Sequence, residues 1–90
     1  MARVIWSRRG LASLNAIFAY LYHSSPSAAA TAFLAIRAAA ASLDQMPDRG
    51  RPVGGSRREL THVRPYLIRY RVKGNSVEIL EVRHAARKPD

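Results

Sequence analysis

Ninety residues suffice for one compact domain and leave no room for a second, so residues 1–90 are expected to fold as a single unit. A hydrophobic share of 48% supports a real core, and the absence of cysteine excludes a disulfide framework and any thiolate metal site. The net charge of +9 and a pI near 11.3 point to nucleic acid, a ribosome, an anionic membrane or an acidic protein as partner.

The chain opens Met1-Ala2-Arg3, followed by Val4-Ile5-Trp6, a short apolar run expected to be a first strand. Nothing here resembles a signal peptide, and no window of about 18 uncharged apolar residues suggests a spanning helix. The expected location is cytoplasmic, with no membrane partner. Ser7 suits an N-cap, and Arg8 to His23 reads as a helix whose apolar positions Leu11, Leu14, Ile17, Phe18 and Leu21 recur at three- and four-residue spacing. Gly10, in its first turn, is expected to weaken it by up to about 1 kcal/mol relative to alanine.

Ser24-Ser25-Pro26 breaks the pattern, with Ser25 as cap and Pro26 in the first position of a second helix. That helix, read from Pro26 to Leu43, is alanine-dominated, with a stripe of Ala29, Phe33, Ile36, Ala40 and Leu43. Small side chains permit close approach, so the two helices are expected to form an antiparallel hairpin. Arg37 is the only charged residue of the second helix, and a pair this poor in charge is expected to be covered on more than one side. Asp44 to Gly55, dense in proline and glycine, reads as a loop, and Gly54-Gly55 within it as a flexible turn. No strand and no Gly-Lys-Ser/Thr frames it as a phosphate loop.

Three strands should follow, Arg57–Val63, Tyr66–Val72 and Val77–His84. The last two flank Lys73-Gly74-Asn75-Ser76 and form a tight antiparallel hairpin. Alternation puts Tyr66, Ile68, Tyr70 and Val72 on one face, with Leu67, Arg69 and Arg71 on the other. The expected fold is therefore α+β and two-layered, a helical hairpin packed on a small, mainly antiparallel sheet in the order β-α-α-β-β-β.

The three histidines, His23, His62 and His84, lack the helical spacing and neighbouring carboxylates of a zinc site, and no serine-nucleophile motif occurs. No metal and no cofactor are expected. Arginine is what remains. Arg57, Arg58, Arg64, Arg69, Arg71, Arg83 and Arg87 crowd the last third, and the guanidinium offers a fork of donors suited to phosphate. Arg57, Arg58, Arg71 and Arg83 are candidates for binding a target or its phosphates. A solvated sheet face balanced by Glu78 and Glu81 is the alternative.

The ordered set Val4-Ile5-Trp6-Ser7, two helices, Met46-Pro47-Asp48-Arg49-Gly50-Arg51-Pro52, Arg58-Glu59-Leu60, Pro65 to Val72, Val77 to Leu80, and Arg83-His84-Ala85-Ala86-Arg87 resembles the RelE/ParE superfamily, toxins of type II toxin–antitoxin modules. The resemblance implies a growth-inhibiting, plasmid-stabilising toxin with a cognate antitoxin, whose acidic or amphipathic segment would cover the helices at Phe18, Phe33 and Arg37. It implies one of two targets: DNA gyrase, poisoned without nuclease chemistry, or the ribosome with its mRNA, cleaved without a metal. In the nuclease branch the arginine after the strand tyrosine corresponds to Leu67, and no tyrosine follows Tyr70 to act as the C-terminal catalytic group. A reduced nuclease would rely on Arg69, His84 and Arg87. The ending His84-Ala85-Ala86-Arg87 is more similar to ParE-type toxins, so a gyrase poison is expected, with an mRNA interferase as alternative. A non-toxic RNA-binding module would need aromatics on the basic face, where alternation supplies none.

Overall fold

The computed structural model describes residues 2–86. Its elements are β1 (Arg3–Trp6), α1 (Arg8–Ser24), α2 (Pro26–Ala41), a 3-10 turn (Ser42–Asp44), β2 (Arg51–Gly54), β3 (Arg57–Leu60), β4 (Tyr66–Lys73) and β5 (Ser76–His84). The strands form one sheet in the order β1-β5-β4-β3-β2. β1 runs parallel to β5 and every other pairing is antiparallel. The helical hairpin covers one face of this sheet, as its sequence pattern predicts, and among the described residues no element covers the other face.

Two sequence expectations need correction. The stretch read as loop contains β2, because Pro52 and Gly54 are tolerable on an edge strand that pairs on one side only. β3 ends at Leu60 rather than Val63, ahead of the turn that carries the cis Arg64–Pro65 peptide. The segment Pro26–Asp44 is long and apolar enough, by length and composition, to cross a membrane. In the fold its Ile36, Ala40 and Leu43 are fully buried in the shared core.

That core joins Leu14 of α1 and Ile36, Ala40 and Leu43 of the second helical segment to Leu60, Ile68, Tyr70, Val77, Ile79 and Val82 of the sheet. Burying each such aliphatic side chain contributes about 1.5–3 kcal/mol. The Tyr70 hydroxyl donates to the Pro47 carbonyl and accepts from the Gly50 N–H, both at 2.8 Å, which ties the loop before β2 to the sheet. Burial raises the Tyr70 phenol, against the opposing bond from Gly50.

α1 sits unusually close to β5. The Ser7 hydroxyl caps the helix by accepting from the Gly10 N–H at 2.9 Å and donates to the Ile79 carbonyl at 2.7 Å. Ser13 Oγ accepts from the Val82 N–H at 2.9 Å. A Cβ on Gly10 would lie 2.4 Å from the Ile79 carbonyl oxygen, so glycine in this turn is a packing requirement rather than only a weakness.

One irregularity decides which side chains of β5 face where. Arg69 pairs with Glu81 and Tyr70 with Ile79, leaving Leu80 as an extra residue. Without this bulge, strict alternation from Ile79 would turn Glu81 and Arg83 toward the helices. With it, Val82 and His84 face inward and Arg83 joins Arg69 on the uncovered face.

Candidate functional site

On the uncovered face, alternation along four strands brings cationic side chains into rows. Arg51 of β2 pairs with Glu59 of β3, which pairs with Arg69 of β4; the next row sets Arg57 beside Arg71, and Arg71 beside Glu78. Glu59 is the hub. Its carboxylate, 1% exposed, accepts from Arg51 at 2.8 Å and from Arg69 at 2.9 Å, and lies 3.8 Å from an Arg83 nitrogen. Burial pushes the Glu59 carboxyl up, but the hydrogen bonds and charges of Arg51 and Arg69 outweigh it and hold it below the ordinary carboxylate range.

One carboxylate cannot neutralise three guanidiniums, so the cluster stays cationic. Arg71 pairs with Glu78 yet keeps 43% of its side chain exposed. The Nε atoms of Arg69, Arg71 and Arg83 are buried without a hydrogen-bond partner among the described residues. Arg57 makes no ion pair among those residues and is exposed. Arg3 and Lys73 extend the positive charge at the same end, where Glu78 and aliphatic groups such as Leu67 and Ile5 interrupt it.

The sequence candidates divide by face. Arg57, Arg69, Arg71 and Arg83 share the uncovered one. Arg58 does not join them: it pairs with Tyr70 across the strands and donates to the carbonyls of Gly50 at 2.7 Å and Asp48 at 3.1 Å, clamping the loop before β2. His84 is also apart, on the helix side, its ring edge-on to Tyr66 with centroids 5.8 Å apart. Its Nδ1 accepts from the Ala86 N–H at 3.1 Å. Arg87 lies outside the described residues. Among those residues no three His, Asp or Glu side chains gather as metal ligands would.

His84 belongs to a second feature that sequence reasoning missed. β1 is short and pairs only with Ser76 to Ile79, so the end of β5 is an edge beside α1. Between them runs a groove of about 760 Å³, lined by Ala16, Ile17, Tyr20, Tyr66, Val82 and His84 among others. Burial and the neighbouring Tyr20 raise the Tyr66 phenol. The short length of the Val4-Ile5-Trp6 run, against nine residues in β5, was the available signal. Arg51 was missed because its strand was read as loop.

The third set of candidates is brought together on the helical hairpin. Phe18 and Phe33 meet edge to face at 5.5 Å, Tyr22 stacks beside Phe18 at 5.7 Å, and the Arg37 guanidinium lies 5.7 Å from the Phe33 ring centroid. Tyr20, Tyr22, Leu34 and Leu11 are exposed around them. An aromatic and aliphatic surface with one cation suits an amphipathic partner segment.

Comparison with known proteins follows the fold closely. A family model described as "ParE toxin of type II toxin-antitoxin system, parDE" matches residues 4–89. The chain is 47% identical over 87 residues to Toxin RelE2 of Caulobacter vibrioides, covering 97% of this chain and 99% of that protein. It is 36% identical over 84 residues to Toxin RelE1 of the same organism, covering 90% of each. Among solved structures it is similar to one described as the chromosomal ParDE TA system from P. aeruginosa, with a TM-score of 0.82, 31% identity, and coverage of 93% of this chain and 96% of that one.

Proposed function

This chain belongs to the ParE toxin family of type II toxin–antitoxin systems, within the RelE/ParE superfamily, and from that premise we propose that it stops growth by poisoning DNA gyrase in the cytoplasm. As a toxin of such a module it has a cognate antitoxin as partner. The family assignment displaces the non-toxic RNA-binding reading.

The observation that carries the gyrase reading is the separation of Arg69 from His84. Metal-free RNA cleavage needs a base to take the 2′-hydroxyl proton and an acid to protonate the leaving 5′ oxygen, beside the cations that hold the phosphate. Here the arginines and the histidine project from opposite faces of the sheet, and Arg69 is already bonded to a buried carboxylate. The arrangement supports binding rather than proton transfer. The RelE names of the curated relatives favour the second reading, a ribosome-dependent mRNA interferase.

Titrating the full chain into a supercoiling reaction with purified gyrase tests the choice. Inhibition with accumulated cleaved DNA is expected. No inhibition at large excess, together with mRNA cleavage in programmed ribosomes, would overturn the gyrase reading in favour of the interferase.

The antitoxin is assigned to the hairpin surface of Phe18, Phe33 and Arg37, where an amphipathic segment would bury the rings and place a carboxylate on the guanidinium. Phe18→Ala with Arg37→Glu is expected to weaken antitoxin binding by about 100-fold or more if these act as anchor residues. Unchanged affinity by calorimetry would remove them from the interface.

A further inference from the structure

We propose that the uncovered sheet face grips the phosphate backbone of duplex DNA, with Arg57 and Arg71 as the contacting groups and Glu59 as the residue that positions their neighbours. The choice of DNA as occupant rests on the gyrase reading; the preference for a duplex rests on the face itself. Four adjacent strands contribute cations to it, so at about 4.8 Å per strand the positive stripe is roughly 14 Å wide. Along β4, Arg69 and Arg71 are two residues apart, about 7 Å for extended chain. Such an array of fixed, permanently charged forks can follow a backbone from one phosphate to the next.

Three features select the occupant. Single-strand binders stack bases on aromatic side chains, and no aromatic residue lies on this face among the described residues, where Tyr66 and Tyr70 both point to the helices. Protein partners are anchored by a desolvated apolar or aromatic centre, and the centre of this face is instead the Arg51–Glu59–Arg69–Arg83 cluster. What remains is a charge-matched, sequence-independent contact with phosphates. Arg57, exposed and without an ion pair among the described residues, and Arg71, whose side chain is 43% exposed, present guanidinium donors that a phosphate oxygen can reach.

Glu59 contributes geometry. By holding Arg69 and Arg51 on one buried carboxylate, with an Arg83 nitrogen 3.8 Å away, it fixes a cationic floor at the sheet surface beside which Arg57 and Arg71 reach solvent. Its own negative charge is covered by that floor and is not presented to the ligand.

The test is fluorescence anisotropy of the full chain with a short labelled DNA duplex across a salt series, in parallel with the supercoiling assay. For the unaltered protein log K should fall linearly with log salt concentration, by about 0.9 for each phosphate contacted. Replacing Arg57 and Arg71 by alanine should lower that slope by nearly 2 and weaken binding about tenfold or more at moderate salt. Removing the same charge elsewhere, at the exposed Arg8 and Arg64, should leave the slope unchanged. Arg57→Glu alone should weaken binding in the same sense, and since Arg57 has no partner among the described residues its melting temperature should match that of the parent chain. Equal loss from the two double variants would show diffuse charge and overturn the proposal, as would tighter binding of single-stranded RNA or no binding of the duplex. Gyrase inhibition without duplex binding would sink this inference and leave the gyrase reading intact. Duplex binding localised to Arg57 and Arg71, without gyrase inhibition, would support the phosphate-binding face and overturn the gyrase reading.

Discussion

The two faces of the sheet are built from alternate residues of the same strands and are held by opposite means. On the covered face Ile68, Tyr70, Ile79 and Val82 fill shape against the helices, and the contact tolerates no extra atom at Gly10. On the open face Arg51, Arg57, Arg69, Arg71 and Arg83 repel one another, and carboxylates from β3 and β5 make their proximity tolerable. The lesson is that one period-two pattern can specify a core and an electrostatic surface back to back. Apolar burial is concentrated on the first and excess positive charge on the second.

This contrast is sharpest under substitution. Ile79→Ala should be the most damaging change, costing about 2–5 kcal/mol through lost burial and a residual cavity, independent of salt. Urea unfolding at low and high salt checks both parts of the statement. Glu59→Ala should follow at about 2–3 kcal/mol, below the usual range for a broken buried pair because the Arg51 side chain is 64% exposed and can turn to water. Its effect should vary with salt and pH, unlike that of Ile79→Ala. The folded carboxyl lies below its unfolded value, so its stabilisation is complete above the unfolded pKa of about 4.3 and is lost as pH falls through the folded one. Comparing the parent with Glu59→Gln over that acid range isolates the term: the stability difference should shrink as pH drops. A difference constant with pH would mean that the cluster does not depend on ionised Glu59.

Much of this contrast was legible in the chain itself. Alternation in Tyr66–Lys73 separated Ile68 and Tyr70 from Arg69 and Arg71 correctly, because a strand half-buried on one side must repeat every two residues. The helical hairpin was equally legible from Ser7, Ser25 and Pro26, whose capping roles are local. What was not legible depended on neighbours distant in sequence. Pro52 and Gly54 obscured β2, and without β2 there was no reason to bring Arg51 to Glu59. The extra residue at Leu80 leaves no mark in composition, yet it alone determines that Arg83 joins Arg69 while His84 turns into the groove beside α1. The same bulge is what separates the two groups that a reduced nuclease would need together.

Gly10→Ala reverses a local expectation. Helix propensity favours alanine there by about 1 kcal/mol, whereas overpacking against fixed backbone costs typically about 1–3 kcal/mol. The neighbouring atom is the Ile79 carbonyl oxygen, which cannot rotate away as a side chain would, so net destabilisation of about 1–2 kcal/mol is expected. A melting temperature raised by the substitution would show that α1 and β5 are not locked at this seam.

Arg9→Ala probes the weakest link between helix and sheet, and its small effect is informative. Arg9 pairs with Glu81 at 3.3 Å, but its side chain is 72% exposed, so water and salt compete for both groups. Exposed pairs of this kind contribute about 0.2–1 kcal/mol, and the value should fall toward zero as salt is raised above the physiological range. The comparison with Glu59 then separates charge that is merely paired from charge that is buried and shared. Both contacts join arginine to glutamate across elements, and burial of the carboxylate accounts for the difference in their expected worth. If Arg9→Ala proved as costly as Glu59→Ala in the same urea titration, burial would not be the deciding variable, and the open face would have to be reread as a network in which every ion pair counts alike.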